Sequence, residues 1–151
     1  MAVGLSRSKP LSSEWALDLE SFCWICDREF VPEVDLFTTR ENHLLPQFVS
    51  PVPDHLAAGT DTFSMSWNQW NLLYLFPPAS LILKVLALLK DYQGRAILVA
   101  PNWPNQAWYL VLLQKSLRHA LLPFPVLSQR VGDETIFASS NNLNLLCYWS
   151  L

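Results

Sequence analysis

Hydrophobic residues recur at helical spacing near the start of the chain. Between residues 19 and 30 they follow the i, i+3, i+4, i+7, i+11 pattern of one helix face, at Leu19, Phe22, Cys23, Cys26 and Phe30. Asp18 stands at the N-cap position, and Leu17 and Phe22 stand where a hydrophobic staple closes over it. The pattern predicts a helix over 19–29 that ends before Pro32.

Continuous apolar runs later in the chain indicate buried strands. Three such runs occupy 33–38, 72–76 and 96–100. A helix is predicted over 81–92, capped by Ser80 and closed by Gly94. The last two strands and this helix then form a right-handed βαβ unit. Residues 39–68 lack periodicity and contain three prolines, so we predict a long loop there.

The second half of the chain continues this alternation of helix and strand. A helix is predicted from Pro104 or Asn105 to about 119, and residues 126–129 and 135–138 flank a turn as a hairpin. The whole pattern predicts one small α/β domain in three layers with a partly parallel sheet. Residues 1–17 and 139–151 are interpreted as linkers at its two ends, so the domain itself spans 18–138.

Composition narrows the class of protein. Hydrophobic residues make up 51% of the 151 residues and charged residues 15%, which excludes a disordered chain. The net charge is −3 without a basic stripe, so we expect any contact with DNA to be made through neighbouring domains. Three cysteines, an odd number, favour a reduced intracellular setting, nuclear or cytoplasmic.

Membrane insertion and secretion are not expected. The most apolar stretch, 72–89, is interrupted by Pro77 and Pro78 and contains Lys84, whereas a membrane span needs about 20 uninterrupted apolar residues. We interpret this stretch as a strand followed by a helix. The first ten residues lack the apolar core of a signal peptide.

Several familiar catalytic and metal-binding patterns are weak or missing in the sequence. Cys23 and Cys26 form a lone CxxC inside a predicted helix, whereas a zinc site needs four ligands, so we interpret them as core residues. The three histidines lie far apart without metal-ligand spacing, and neither a G-x-S-x-G motif nor a Gly-rich phosphate loop is present. We therefore predict no metal site.

A ligand site is expected at the carboxyl ends of the predicted strands. Three segments converge there, namely residues 38–42, 76–78 and 101–104. Asp35 lies inside the first strand, where a buried carboxylate needs partners. Four tryptophans either line this cleft or fill the core, and core is favoured; they are Trp67, Trp70, Trp103 and Trp108.

The order of several short motifs resembles phage-type DNA N6-adenine methyltransferases. The matching positions are the run 35–42, then Phe48, Asp54, Asp61, Trp67, the run 75–78, the run 100–103, and Trp108-Tyr109. The resemblance covers nearly the whole chain and implies a Rossmann-like methyltransferase-type fold. It also implies that Asp35, Asn42 and Asp61 are vestigial contacts for S-adenosylmethionine, if the ancestral pocket survives.

The resemblance is closer to the version of this domain in DIRS-like retrotransposons, where it lies between ribonuclease H and a tyrosine recombinase. Residues 2–7 resemble the tail of the ribonuclease H domain, and residues 145–151 resemble the lead-in to the recombinase. The implied setting is a reverse transcriptase and recombinase polyprotein. Val3 stands where the ribonuclease H tail has a metal-binding Asp, so no ribonuclease activity is expected.

Departures from the methyltransferase motif indicate that the chemistry is lost. The family has Asn or Asp before Pro-Pro, to accept a hydrogen bond from the adenine amino group, and an aromatic ring after it, to stack on the flipped base. Here the motif reads Phe76, Pro77, Pro78 and Ala79. We expect a silent domain, with no catalytic residues and no cofactor, that acts as a spacer or interaction module. An active adenine methyltransferase, a host-recruited interaction domain with a protein partner, and a decaying copy stay open as alternatives.

Overall fold

The computed structural model describes residues 16–38, 43–101, 103–122, 126–131, 134–139 and 143–149. Within them the α-helices are α1 Leu19–Arg28, α2 Ile82–Leu89 and α3 Ala107–Lys115. The strands are β1 Ala16–Leu17, β2 Val34–Asp35, β3 Gln47–Ser50, β4 Gly59–Thr60, β5 Leu72–Leu75, β6 Arg95–Pro101, β7 Arg118–Leu121, β8 Val126–Val131, β9 Glu134–Ser139 and β10 Leu143–Trp149. Short 3-10 helices occupy Thr62–Ser64, Trp67–Gln69 and Ala79–Leu81.

A seven-stranded sheet organises the chain in the order β4-β3-β2-β5-β6-β10-β7. Strands β4, β3, β2, β5 and β6 are all parallel, while β10 runs antiparallel to both β6 and β7. The chain moves outward from β2 through β3 to β4 and then returns to place β5 on the other side of β2. This reversal creates a topological switch point beside β2. Strands β1, β8 and β9 form a separate antiparallel sheet.

Helices cover both faces of the large sheet, which gives the predicted three-layer Rossmann-like α/β fold. Alternate residues of β6 enter different cores because successive side chains of a strand point to opposite faces. Leu98 joins helices α2 and α3 in one cluster, which we call the α2/α3 core, through Val85 and Leu112. Val99 joins α1 in the other cluster, the α1 core, through Ile25.

The helix α1 and its local start signals are confirmed, but the predicted apolar face is partly wrong, because Leu19 and Cys23 are exposed while Ile25 is buried. The helix spans Leu19–Arg28, and the Asp18 carboxylate accepts a hydrogen bond from the backbone N–H of Glu20 at 3.3 Å. Leu17 and Phe22, the two staple residues, are both buried in the α1 core. The predicted βαβ unit is also present, as β5, α2 and β6, and the predicted hairpin is formed by β8 and β9.

Two sequence interpretations of chain segments are wrong. Residues 39–68 contain strands β3 and β4, which extend the sheet from β2, so the segment is more than a loop. Residues 143–149 form β10 inside the sheet, although 139–151 was expected to be a linker. Both segments are held by backbone hydrogen bonds to strands distant in sequence, which local periodicity does not reveal. The resemblance of residues 2–7 and 145–151 to parts of neighbouring polyprotein domains stays a prediction.

Helix boundaries also differ from the predicted ones. Ser80 does not cap α2; it lies within the 3-10 helix that precedes it, and α2 begins at Ile82 without a side-chain cap. Helix α3 runs from Ala107 to Lys115 and stops before 119, because residues 118–121 pair with β10 as β7. None of the helices in the described part of the chain reaches the length and apolarity that a membrane span requires.

Candidate functional site

A cleft of about 280 Å³ opens at the carboxyl ends of the parallel strands. It is contributed by the segments that follow β2, β3, β4 and β5 and by the start of α2, and it lies beside the switch point where ligands of open α/β sheets bind. The lining residues are Leu36, Phe37, Thr38, Pro51, Asp61, Thr62, Phe63, Pro78, Leu81 and Lys84. The predicted location of a ligand site therefore coincides with a real cleft.

Asp61 shapes one wall of the cleft. Its φ of 61° lies in the left-handed region, which a residue other than glycine adopts only when its surroundings hold it there. The Asp61 N–H donates to the Ser50 carbonyl at 2.8 Å, and its carboxylate accepts from the Phe63 N–H at 3.2 Å. These bonds start the 3-10 helix that directs Phe63 toward the cleft.

Thr62 fastens this wall to the strand beside it. Its hydroxyl donates to the carbonyl of Leu36, and its own carbonyl accepts from the Trp67 indole N–H at 3.0 Å. Thr62 and Trp67 are both buried, so these polar groups are satisfied away from water. The wall is therefore anchored to the core on two sides.

Aromatic and cationic side chains meet in the cleft. The rings of Phe37 and Phe63 pack edge to face with centroids 5.6 Å apart. The Lys84 ammonium, from the first turn of α2, lies 4.3 Å from the Phe63 ring centroid in a cation–π contact. The cleft thus combines apolar surface, one carboxylate and one ammonium among its described lining residues.

Phe76 and Ala79, at which the sequence departs from the methyltransferase motif, both turn away from this cleft. Phe76 is half-buried and packs against the α1 core, while Ala79 packs against the α2/α3 core. Pro77 is buried, and Pro78 alone of the four lines the cleft. The segment consequently presents neither a side-chain hydrogen-bond acceptor nor an aromatic platform to a ligand in the cleft.

Asp35 lies in a different place from the one the resemblance implies. Asp35 pairs with Tyr74 of β5 and Phe48 of β3 across the sheet, so its side chain shares their face, on the α1 side. It does not line the cleft, and only 2% of its surface is exposed. One carboxylate oxygen accepts a long hydrogen bond from the Leu44 N–H at 3.5 Å.

Two buried oxygens on this face are unsatisfied. Asp35 Oδ1 and the Tyr74 hydroxyl have no hydrogen-bond partner among the described residues. Burial raises the pKa of Asp35 to about 7, although the backbone N–H groups of Leu44 and Phe37 oppose the rise. Burial is also the main cause that raises the pKa of Tyr74 well above its ordinary value, and the negative charges of Asp35 and Cys26 add to the rise. Asp35 is therefore a buried acid that resists ionisation.

The structure brings only some of the predicted site residues together. Thr38, Asp61 and Pro78 share the cleft, whereas Asp35 is excluded from it, and Asn42 lies outside the described residues. Trp103 is 43% exposed and does not line the cleft. The other three tryptophans are buried in the α2/α3 core, as favoured; they are Trp67, Trp70 and Trp108.

Lys84 and Phe63 are cleft residues that the sequence did not single out. Lys84 appeared only as an interruption of an apolar run, and Phe63 lay in a segment interpreted as a loop. The available signal was a lysine in the first turn of the helix that comes after Pro77 and Pro78. It points to the carboxyl edge of a parallel sheet, where anions bind.

The CxxC residues lie on α1, in the middle of the helix as predicted. The interpretation of both cysteines as core residues is wrong for Cys23, which is exposed; Cys26 is half-buried and packs against the α1 core. Burial raises the pKa of the Cys26 thiol to about 11, with smaller contributions from the charges of Cys23 and Asp27. Within the described residues, no three His, Cys, Asp or Glu side chains are grouped closely enough to hold a metal ion.

Comparison with known proteins leaves the family open. A scan against protein-family models gives no match, and a search of curated proteins finds no similar sequence. Function is therefore inferred from the residues and the site, since a fold alone does not specify one.

Proposed function

We propose that the chain is a methyltransferase-like domain of a retrotransposon polyprotein that no longer transfers methyl groups. In this proposal it works inside the cell as a spacer or interaction module between flanking enzymes. The observation that carries the proposal is a cleft kept at the switch point while the motif beside it has lost its chemistry. Phe76 and Ala79 replace the acceptor and the stacking ring, and both pack into the cores.

The position of β10 distinguishes the large sheet from that of a dinucleotide-binding Rossmann fold. The seven strands of the large sheet, numbered in chain order, follow 3-2-1-4-5-7-6, with the seventh antiparallel between the fifth and sixth. Dinucleotide-binding Rossmann sheets have the order 3-2-1-4-5-6. The antiparallel strand β10 departs from that order and makes the sheet partly parallel, which agrees with the partly parallel sheet expected of the proposed type.

The loss of chemistry follows from the side chains at the altered motif. A flipped adenine needs an acceptor for its amino group and a ring to stack on. Phe76 has no acceptor and Ala79 no ring, and the loss of stacking alone costs about 1–3 kcal/mol per base. With neither group facing the cleft, an adenine would be neither held nor polarised for attack on a methyl donor.

A role in contacts with other proteins is supported by the outer surface of the helices. Leu83 and Leu88 of α2 are 48% and 40% exposed, and Leu110 of α3 is 66% exposed. Helices α2 and α3 pack against each other through the α2/α3 core. Exposed leucines on neighbouring helices favour a protein partner over direct contact with the phosphate backbone of DNA, which needs basic residues. The same observation favours a second candidate, a host-recruited interaction domain.

A methyl-transfer assay tests the proposal directly. The folded chain is incubated with S-adenosylmethionine labelled on its methyl group and with single- and double-stranded DNA containing adenine. We expect no label on the DNA. The double variant Phe76→Asn, Ala79→Tyr rebuilds the family motif, so any label that it transfers would support the ancestry. Label transferred by the unaltered chain would refute the proposal and establish an active methyltransferase.

The interaction role has its own measurement. Light scattering reports whether the chain self-associates, and Leu110→Lys places a charge on the most exposed leucine of α3. Gln114→Lys, at another exposed position of the same helix, adds the same charge as a control. A recruited interaction domain predicts association, with itself or with added polyprotein neighbours, that Leu110→Lys weakens and Gln114→Lys leaves intact. A chain that stays monomeric and binds no neighbouring domain would refute the interaction role.

A further inference from the structure

We propose that the cleft binds a nucleoside that carries an anionic group, such as a nucleoside monophosphate, and that Lys84 sets this preference. The inference rests on the proposed function in one respect, that the cleft is the ligand site which this fold has kept. It goes beyond that function by giving the ligand a charge. It also predicts that a sulfonium compound such as S-adenosylmethionine binds less well than the nucleotide.

The apolar part of the cleft suits a flat ring. Phe37 and Phe63 pack edge to face, and half of the remaining lining is aliphatic or proline, from Leu36, Leu81, Pro51 and Pro78. Ligand sites are typically apolar concavities with a few placed polar groups. The cleft has a volume of about 280 Å³. It lies at the switch point of a parallel sheet, which is where nucleotides bind in open α/β folds.

The charged groups of the cleft are few and differ in availability. Among the described lining residues Asp61 supplies the carboxylate and Lys84 the ammonium. The Asp61 carboxylate already accepts the Phe63 N–H, and it stands after a strand, where an acid typically accepts ribose hydroxyls. Asp61 therefore fits the sugar of a nucleoside, which leaves the charged part of the ligand to Lys84.

Lys84 is placed to receive an anion. The Phe63 ring, 4.3 Å from the Lys84 ammonium, holds this group against the cleft wall and so restricts the side chain before any ligand arrives. The residue is exposed and lies in the first turn of α2, so the ammonium is open to solvent and close to a positive helix end. A phosphate replaces water at this ammonium with a charge-assisted hydrogen bond.

A cationic ligand is expected to bind this cleft less tightly than an anionic one. S-adenosylmethionine carries two positive groups and one carboxylate, so its net charge repels the Lys84 ammonium. The carboxylate of Asp61 is assigned to the ribose hydroxyls, which an anionic and a cationic nucleoside share, so it does not separate the two ligands. The charge preference therefore rests on Lys84, whose ammonium attracts the anion and repels the sulfonium compound.

Calorimetric titration with adenosine monophosphate, adenosine and S-adenosylmethionine tests the preference. We expect the monophosphate to bind at least about tenfold more tightly than adenosine, because one charge-assisted hydrogen bond increases affinity by that factor. Lys84→Met keeps the aliphatic length and should bring the two affinities together. Lys90→Met removes an exposed lysine from the end of the same helix, outside the cleft lining, and should leave the preference unchanged. Circular dichroism confirms that each variant is folded.

The salt dependence in the unaltered chain is a second readout that needs no variant. The ratio of the monophosphate and adenosine affinities should fall as ionic strength rises, because salt screens the Lys84 charge. The proposal is overturned if adenosine binds as tightly as the monophosphate, if the preference survives Lys84→Met, or if the folded chain binds neither compound. Methyl transfer to DNA would instead refute the proposed function, so the two failures are distinguishable.

Discussion

Replacement of Asp35 by asparagine should stabilise the protein at neutral and alkaline pH. The side chain is 2% exposed, and one of its oxygens has no partner among the described residues. Burial raises the pKa of Asp35 from an ordinary 3.8 to about 7. A group whose folded pKa lies above its unfolded pKa keeps its proton in the folded state after the unfolded chain has lost it. The free energy of unfolding therefore falls as pH rises between these two values and is level above them.

The size of the effect follows from this shift. Each pKa unit corresponds to about 1.4 kcal/mol, so ionisation of Asp35 lowers the free energy of unfolding by at most about 4 kcal/mol above pH 7. At pH 5 the carboxyl is still protonated in the folded chain but largely ionised in the unfolded one, and the free energy of unfolding is lowered by about 1.5 kcal/mol. Asparagine has nearly the same shape and no charge. The free energy of unfolding of Asp35→Asn, relative to that of the unaltered chain, should therefore increase by about 2–3 kcal/mol from pH 5 to pH 8.

Urea unfolding at a series of pH values measures this difference. Asp91→Asn removes an exposed carboxylate and serves as the control for the change in net charge. Its effect on the free energy of unfolding should be small at every pH, because an exposed carboxylate loses little hydration on folding. The reasoning is refuted if the stabilities of Asp35→Asn and the unaltered chain differ by the same amount at pH 5 and pH 8. It is equally refuted if the variant is the less stable protein at pH 8.

Two further predictions concern packing and thiol reactivity. Gly94→Ala should destabilise the protein by about 1–3 kcal/mol, since a new Cβ would overlap the Tyr92 hydroxyl, whereas Gly59→Ala meets only the flexible end of a methionine side chain and should cost less. Urea unfolding of both variants tests this, and equal losses would contradict it. An alkylating reagent at pH 7 should modify Cys23 well before Cys26, because burial raises the Cys26 pKa to about 11 and so suppresses its thiolate. Peptide mapping by mass spectrometry measures both rates, and faster labelling of Cys26 would show that its thiol is not protected as described.

Much of the architecture was predictable because its determinants are local. The Asp18 cap and the Leu17–Phe22 staple act within a few residues of one another. The βαβ unit of β5, α2 and β6 follows from two apolar runs separated by one helix. These patterns depend on periodicity and on turn residues, which a sequence displays directly.

Strand pairing over long distances decided the remainder of the fold. Strands β3 and β4 are short, and they became recognisable only through their parallel pairing from β2 outward. Strand β10 inserts between β6 and β7, so residues near the chain end complete a sheet begun much earlier. Such pairings are made by backbone hydrogen bonds, which every residue can accept and every residue except proline can also donate. The sequence pattern therefore does not specify the partners.

The candidate site depended on tertiary structure in the same way. Asp35 and Asp61 were predicted to share a pocket, yet the alternation of side chains along β2 directs Asp35 to the α1 side while Leu36 lines the cleft. Lys84 reaches the cleft because α2 begins where β5 ends, and its contact with Phe63 joins two segments separated by a strand. Residue types and their order support only the proposal that methyl transfer has been lost. The register of the sheet determined which side chains meet, because one step along a strand moves a side chain to the opposite face.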